Sequence, residues 1–173
     1  RKTSLRCGRL PVLRSILRNG RRGEGGFATV ARFVADAPTT TMQRLKGLMT
    51  GGLPTFIDVG SSFGADEVRE DNLLRQLQEA GRRVVAVGDE SWVQLFPSHL
   101  AAAHPFPSFN VKDLHGVDNG VKALAPALLS EEGAKDWDVL ILHFLGVDHV
   151  GHVHGSESAA MASKLEEMDT ELR

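Results

Sequence analysis

The sequence lacks the features that mark several protein classes. Its single cysteine, Cys7, can form no internal disulfide, and the chain has no cysteine-based zinc framework. No apolar run approaches the roughly 18 residues that cross a bilayer, so we predict no membrane-spanning helix within it. It also contains no Gly-x-Gly-x-x-Gly fingerprint, no Walker loop and no His-Glu-x-x-His motif. These absences exclude the well-marked nucleotide-binding and zinc-protease classes.

The charge of the chain is unevenly distributed. The 173 residues are 42% hydrophobic and 24% charged, which is typical of one globular domain. Residues 1–32 have nine lysines and arginines and only Glu24 as an acid, a local charge of +8, whereas the remainder has a charge of −10. Such a basic segment binds nucleic acid or an anionic membrane, or is simply a solvated terminus. Because Phe27 is the first aromatic residue, no stacking surface accompanies the arginines, and we expect no nucleic-acid partner.

Hydrophobic patterns predict helices that alternate with strands. Strands are expected over 27–34, 83–90 and, as the clearest buried strand, 137–146, whereas the proline-rich residues 97–110 are expected to be irregular. Helices are expected over 10–18, 39–52 (ending at Gly51-Gly52), 65–83 (ending near Gly81), 91–96, 117–131 with a kink or break at Pro126, and 158–173. This alternation predicts a layered α/β fold with a mainly parallel central sheet, in which the active site lies beyond the carboxyl ends of the strands.

A histidine-rich segment is the first candidate site. Asp148 and four of the seven histidines (His143, His149, His152 and His154) lie at the end of the last predicted strand and in the glycine-containing loop after it. Asp148 and His152 are four residues apart, so one helical turn or a tight loop can direct both at one ion. A carboxylate and an imidazole suit zinc, or manganese as a second choice. The other interpretation is a surface loop that happens to be rich in histidine.

The threonine run after Pro38 is the second candidate site. A hydroxyl at a helix N-terminus lies in positive potential, where a phosphoryl group binds well. A threonine there, at 39–41, can be a nucleophile if a metal lowers its hydroxyl pKa. The alternative is that these hydroxyls only cap the helix.

Together, the two segments resemble the alkaline-phosphatase superfamily. Thr41 stands third after Pro38, as in the nucleophile segment, and Asp148-His149-Val150-Gly151-His152 resembles the Asp-x-x-Gly-His zinc motif. Longer strings are similar to the GPI ethanolamine phosphate transferases. They extend from about residue 36 to the C-terminus, while the first 30 or so residues are only loosely similar; the strings are PTTTMQRLKGLMTGGLPTFID, VREDNLL, FPSFNVKDL, VDNGV and HFLGVDHVGHVHG.

The resemblance implies a reaction and roles for individual residues. Thr41 would attack phosphatidylethanolamine, and phosphoethanolamine would pass through a covalent threonine intermediate to a mannose of a GPI-anchor precursor. Two zinc ions are implied: Asp148 and His152 would bind one, and Thr41 the other. Ser62 stands where the family tends to have a phosphate-binding asparagine, and His154 is close enough in sequence to contact substrate.

The resemblance also implies a domain arrangement. Residues 36–173 would be part of an alkaline-phosphatase-like catalytic domain that is incomplete at both ends, and residues 1–35 its basic edge. The other zinc ligands would then lie outside the chain, so we expect the 173 residues alone to be an inactive fragment that binds zinc poorly. The parent would be an endoplasmic-reticulum membrane protein, with this domain in the lumen and a small multi-pass partner subunit. The alternatives are a phosphodiesterase or phosphatase of the same superfamily, and a non-catalytic truncated α/β fragment.

Overall fold

The computed structural model of the chain describes residues 10–21, 27–31, 39–52 and 67–173. Their helices and strands follow one another in this order: α1 (Pro11–Arg21), α2 (Thr41–Thr50), α3 (Leu73–Glu79), β1 (Val84–Asp89), α4 (Ser91–Leu95), β2 (Ala102–Phe106), α5 (Gly116–Leu128), a 3-10 turn (Gly133–Lys135), β3 (Val139–His143), α6 (Gly146–His154) and α7 (Ala159–Thr170). None of the helices in these ranges is long and apolar enough to span a membrane.

Within the described residues the sheet has three parallel strands, with β1 in the centre and the order β2-β1-β3. At its carboxyl edge Gly88 is paired with His143 on one side and with Pro105 on the other. All six residues of β1 are buried, whereas β3 is half-buried and β2 is largely exposed. This arrangement confirms the α/β fold with a parallel sheet, although the most buried strand is β1 rather than the expected 137–146.

Helices cover both faces of the sheet. Alternate residues of a strand point to opposite faces, and β1 contributes to two separate core clusters accordingly. Val84 and Ala86 pack on one face with residues of α2, α3 and α4, namely Leu45, Leu74, Trp92 and Leu95. Val85 and Val87 pack on the other face with Val117 and Val121 of α5. The result is a helix–sheet–helix arrangement of three layers.

Several helix boundaries differ from those expected. Of the helix expected over 65–83, residues 65–66 lie outside the described residues, and within 67–83 the helix is Leu73–Glu79. The Asn72 side chain caps it by accepting a bond from the Arg75 N–H at 3.0 Å. Upstream of this cap, the Val68 N–H donates to the Leu95 carbonyl instead of to a helical partner. Helix α5 continues through Pro126, and the bond from the Leu129 N–H to Ala125 O beyond it is intact at 2.9 Å.

The expectations for strands also need correction. The irregular segment expected at 97–110 contains β2, which tolerates Pro105 because β2 is the edge strand among the strands that the structure describes. Residues 27–31 form no strand, and the rest of the strand expected over 27–34 lies outside the described residues. The glycine-containing loop expected after β3 is helix α6, which ends at Gly155, where φ is 81°.

The chain divides into two compact units, one of residues 35–145 and one of residues 1–34 with 146–173. The first contains the sheet. In the second, α6 packs against α7, and the buried carboxylate of Asp169 accepts hydrogen bonds from the Val12 and Leu13 N–H groups at 2.8 and 3.0 Å. Asp169 thus caps the N-terminus of α1 from 157 residues away.

The close approach of β1 and β3 predicts a difference between two glycine substitutions. Gly88 and Gly81 both have positive φ, 127° and 74°, but only at Gly88 would a Cβ collide with a neighbour, the His143 carbonyl. We expect Gly81→Ala to lower the free energy of unfolding by about 1–2 kcal/mol, and Gly88→Ala by at least about 3 kcal/mol, because steric overlap adds to the strain. Urea unfolding measures both values. Equal losses would contradict the close approach.

Candidate functional site

Thr41 is the first residue of helix α2. Thr40 stands at the N-cap with extended backbone angles, and its side chain makes no capping hydrogen bond. The helix ends at Gly51, where φ is 69° and the N–H donates to Gly47 O at 2.9 Å, so the expected helix and its glycine stop are confirmed. The half-buried Thr41 side chain therefore lies in the positive potential of a three-turn helix, which suits a phosphoryl group.

Helix α2 packs beside the short helix that leaves the carboxyl end of β1. Leu45 of α2 and Trp92 of α4 belong to one buried cluster, and Met42, next to Thr41, packs against it. Helix α4 begins two residues after β1 ends. The cluster therefore ties the Thr41 helix to the part of the sheet where α/β proteins place their functional residues.

Buried polar groups fix the carboxyl edge of the sheet. Asp89 at the end of β1 is 2% exposed, and its Oδ1 accepts from the Ser91 N–H at 2.7 Å and from the Ser108 hydroxyl at 2.9 Å. The Glu90 carboxylate accepts from the Ser108 N–H at 2.9 Å. These bonds join the residues that follow β1 to those that follow β2, so both loops are held in place.

A second pair of contacts fixes the end of β3. The Trp92 indole N–H donates to Nδ1 of His143 at 3.0 Å, so this histidine nitrogen is an acceptor. Oδ1 of Asp118, a fully buried residue of α5, accepts from the Leu145 N–H at 2.8 Å. Both contacts lie where the chain passes from β3 to α6. Sequence reasoning missed them because the partners are 51 and 27 residues apart; the available signal was an acidic residue among the apolar positions of α5.

Helix α6 presents Asp148 and His152 on its solvent side. Its opposite side is buried through Gly146, His149 and Val150. The side chains of Asp148 and His152 are 54% and 64% exposed, and Oδ2 and Nε2 are 3.4 Å apart. Spacing of i and i+4 on a helix causes this approach.

The donor set of Asp148 and His152 is compatible with zinc. Two zinc ligands at about 2.0–2.1 Å and a tetrahedral angle lie about 3.3 Å from each other, close to the 3.4 Å observed. Across the described ranges, no group of three or more His, Cys, Asp and Glu side chains could hold a metal ion. Within these ranges the pair therefore offers two ligands without a third.

The remaining sequence-predicted residues are distributed as follows. His154 is exposed in the last turn of α6, and His149 is buried. Ser62 lies outside the described residues. Thr41 belongs to the unit of residues 35–145, whereas Asp148, His152 and His154 belong to the unit that contains residues 146–173.

The structure combines a parallel α/β sheet, with polar groups fixed at its carboxyl edge, and a threonine at a helix N-terminus. These features define a class of α/β proteins with a potential phosphoryl-binding site. A family model described as type I phosphodiesterase / nucleotide pyrophosphatase matches residues 60–173. Because this match covers more than half of the sequence, the chain belongs to that family.

Individual curated relatives narrow the similarity further than the family model does. The chain is 57% identical to the human GPI ethanolamine phosphate transferase 3 catalytic subunit over 143 residues, 82% of this chain and 13% of that protein. It is 49% identical to GPI ethanolamine phosphate transferase 3 of Schizosaccharomyces pombe over 81% of this chain and 15% of that protein. The human GPI ethanolamine phosphate transferase 2 catalytic subunit is 46% identical over 81% of this chain and 14% of its own length. The resemblance read from the sequence is thereby confirmed, and the chain spans about one seventh of these relatives.

The Asp118 contact predicts a selective loss of stability. Asp118→Ala removes the acceptor of the buried Leu145 N–H, so we expect the free energy of unfolding to fall by about 2–3 kcal/mol. Asp118→Asn keeps an oxygen acceptor and should cost about half as much. Asp136→Ala, at an exposed carboxylate, should change it by less than about 0.5 kcal/mol.

Urea unfolding and hydrogen exchange of the Leu145 amide test this contact together. Exchange should accelerate in Asp118→Ala and much less in Asp118→Asn. An unchanged exchange rate in Asp118→Ala would show that Asp118 does not hold the Leu145 N–H at this edge of the sheet.

Proposed function

We propose that this chain supplies catalytic residues to an ethanolamine phosphate transferase of GPI-anchor biosynthesis. The observation that carries the proposal is the 57% identity to the human GPI ethanolamine phosphate transferase 3 catalytic subunit over 82% of this chain. The position of Thr41 at the N-terminus of α2 supports it independently. Residues 36–173 are then part of the catalytic domain, and residues 1–35 form its edge.

Thr41 is the nucleophile in this proposal. Its hydroxyl oxygen forms a bond to the phosphorus of phosphatidylethanolamine while the bond from phosphorus to the glycerol oxygen breaks, and diacylglycerol leaves with the proton. A mannose hydroxyl of the GPI-anchor precursor then attacks the phosphothreonine-type intermediate and regenerates the Thr41 hydroxyl. The positive end of α2 stabilises negative charge at the phosphoryl oxygens in both steps.

The proposal assigns metal ligation to the same residues that the resemblance implied. Asp148 and His152 would hold one zinc ion, for which their 3.4 Å donor separation is suitable, and the Thr41 oxygen would be a ligand of a second. Zinc lowers the pKa of a coordinated hydroxyl and neutralises charge on the phosphoryl group. Ser62 donates a hydrogen bond to the phosphate, and His154 contacts the substrate.

The setting of the reaction follows from its substrates. Both are lipids, so the protein acts at a membrane, which we propose to be that of the endoplasmic reticulum with this domain in the lumen. A small multi-pass membrane subunit is its proposed partner. Hydrolysis is the second candidate reaction, because the matching family is described as a phosphodiesterase; in that case water replaces the mannose hydroxyl.

The nucleophile is tested in a hybrid protein in which this chain replaces the similar segment of the human relative. In cells that lack the endogenous transferase, the hybrid should restore transfer of phosphoethanolamine to the mannose acceptor. We expect Thr41→Ala to lower the rate at least about 10³-fold, because the variant has no hydroxyl at the first residue of α2. Mass spectrometry should find the phosphoethanolamine adduct on the Thr41 peptide.

Thr39→Ala is the matched control, because Thr39 is an exposed hydroxyl two residues away, and it should change the rate by less than about threefold. Release of free phosphoethanolamine without a mannose product would favour hydrolysis. A rate in Thr41→Ala close to that of the unaltered hybrid, or an unaltered hybrid without activity, would contradict the proposal.

Metal ligation is tested by zinc content rather than by rate. In the purified hybrid, Asp148→Ala and His152→Ala should each lower bound zinc by about one ion. His104→Ala, which changes an exposed histidine of β2, should leave the zinc content unaltered. The 173-residue chain alone should retain less than about one ion after dialysis, because its described residues offer no group of three ligands. Two tightly retained ions in the chain alone would contradict this assignment.

A further inference from the structure

Helix α1 has a basic, solvent-facing side. Arg14 and Arg18 are one turn apart and both are exposed, whereas Leu13, Leu17 and Gly20 are half-buried. No acidic residue occurs in residues 10–21 or 27–31. The side of α1 that faces away from its own unit therefore carries positive charge without a counter-charge on the same segments.

Exposed apolar side chains border this basic side. Ile16 is 44% exposed and lies one turn before Gly20, so both residues are on the same flank of α1. A Cβ at Gly20 would collide with Ala28, which shows that residues 27–31 approach the helix closely at this flank. In that segment Phe27 is 87% exposed and Val30 is 65% exposed. We call Arg14, Ile16, Arg18, Phe27 and Val30 the basic–apolar surface.

Hydrogen bonds from its first turn to Asp169 fix the orientation of α1. The Asp169 carboxylate accepts from two N–H groups of the first turn, and Asp169 itself is 2% exposed. A buried carboxylate bonded to a helix N-terminus is a strong anchor. Because the helix is held at this end, its arginines are presented on a preformed surface, and little ordering free energy is spent when something binds there.

We propose that the basic–apolar surface binds an anionic phospholipid bilayer. Arginines beside exposed aromatic and aliphatic side chains are typical of surfaces that lie in the headgroup layer, where the cations meet lipid phosphates and the apolar groups enter the acyl boundary. Charge complementarity selects this occupant, since residues 1–32 have a charge of +8 and the rest of the chain −10. A nucleic acid is the less suitable occupant, because residues 1–32 contain a single aromatic residue, Phe27. The proposal is independent of the transferase activity, and its test involves no turnover.

Vesicle flotation of the purified chain tests the proposal. We expect binding to vesicles of phosphatidylcholine with about 30% phosphatidylserine to be at least about tenfold tighter than to phosphatidylcholine alone. This preference should disappear as the salt concentration rises from about 0.1 to 0.5 M. The double variant Arg14→Glu/Arg18→Glu should weaken binding at least about 30-fold, because each arginine near an anionic surface contributes about 1 kcal/mol.

Two further variants separate local contact from net charge. Arg69→Glu/Lys112→Glu changes the net charge equally at exposed positions in the other unit, and it should weaken binding by less than about threefold if contact is local. Phe27→Ala should weaken binding severalfold without altering the salt dependence, because it removes apolar contact only. If the glutamate variant unfolds, as judged by circular dichroism, Arg14→Gln/Arg18→Gln replaces it, with about a 30-fold loss expected.

Four results would overturn the proposal. They are equal binding to neutral vesicles, equal losses in the two double glutamate variants, no binding to either vesicle, and binding to a single-stranded RNA probe of about 20 nucleotides in place of vesicles.

Discussion

The burial of β1 on both faces is the constraint on which the described fold depends. Each of its six residues is buried, and successive side chains enter different core clusters. A strand of this kind requires helices on both sides, so α2, α3 and α4 cover one face and α5 the other. The positions of Thr41, Asp89 and Trp92 follow from this packing, because each is on, or directly follows, an element that β1 holds in place.

The polar groups at the carboxyl edge complete what the apolar core begins. Apolar burial fixes how the layers pack but not how the loops leave the strands. Here two buried carboxylates perform that task, since Asp89 binds the residues after β1 and β2, and Asp118 binds Leu145 after β3. Buried acids need such partners because an unpaired charge in a core is costly. These two carboxylates therefore hold the N–H groups of Ser91 and Leu145 and the hydroxyl of Ser108 in place.

The sequence predicts those features of the fold that depend on local patterns. The run Val-Val-Ala-Val identifies β1, and the threonines and paired glycines bound α2. The same reasoning misses β2, because Ala102–Phe106 is an exposed edge with a proline and no apolar alternation. It also misses contacts between distant positions, such as Trp92 with His143 or Asp169 with α1, since no local pattern encodes the partner. The candidate site was found through its motifs, while the groups that position it were found only in three dimensions.

Helix α6 shows why geometry alone does not assign a function to Asp148 and His152. An acidic residue and a histidine at i and i+4 approach each other in any exposed helix and commonly form a weak surface ion pair. The 3.4 Å donor separation suits a surface ion pair as well as one tetrahedral ion, and α6 follows the strand end that Asp118 and Trp92 fix. The assignment of this pair as zinc ligands is therefore a proposal that depends on the Asp148–His152 motif and not on the geometry of α6 alone.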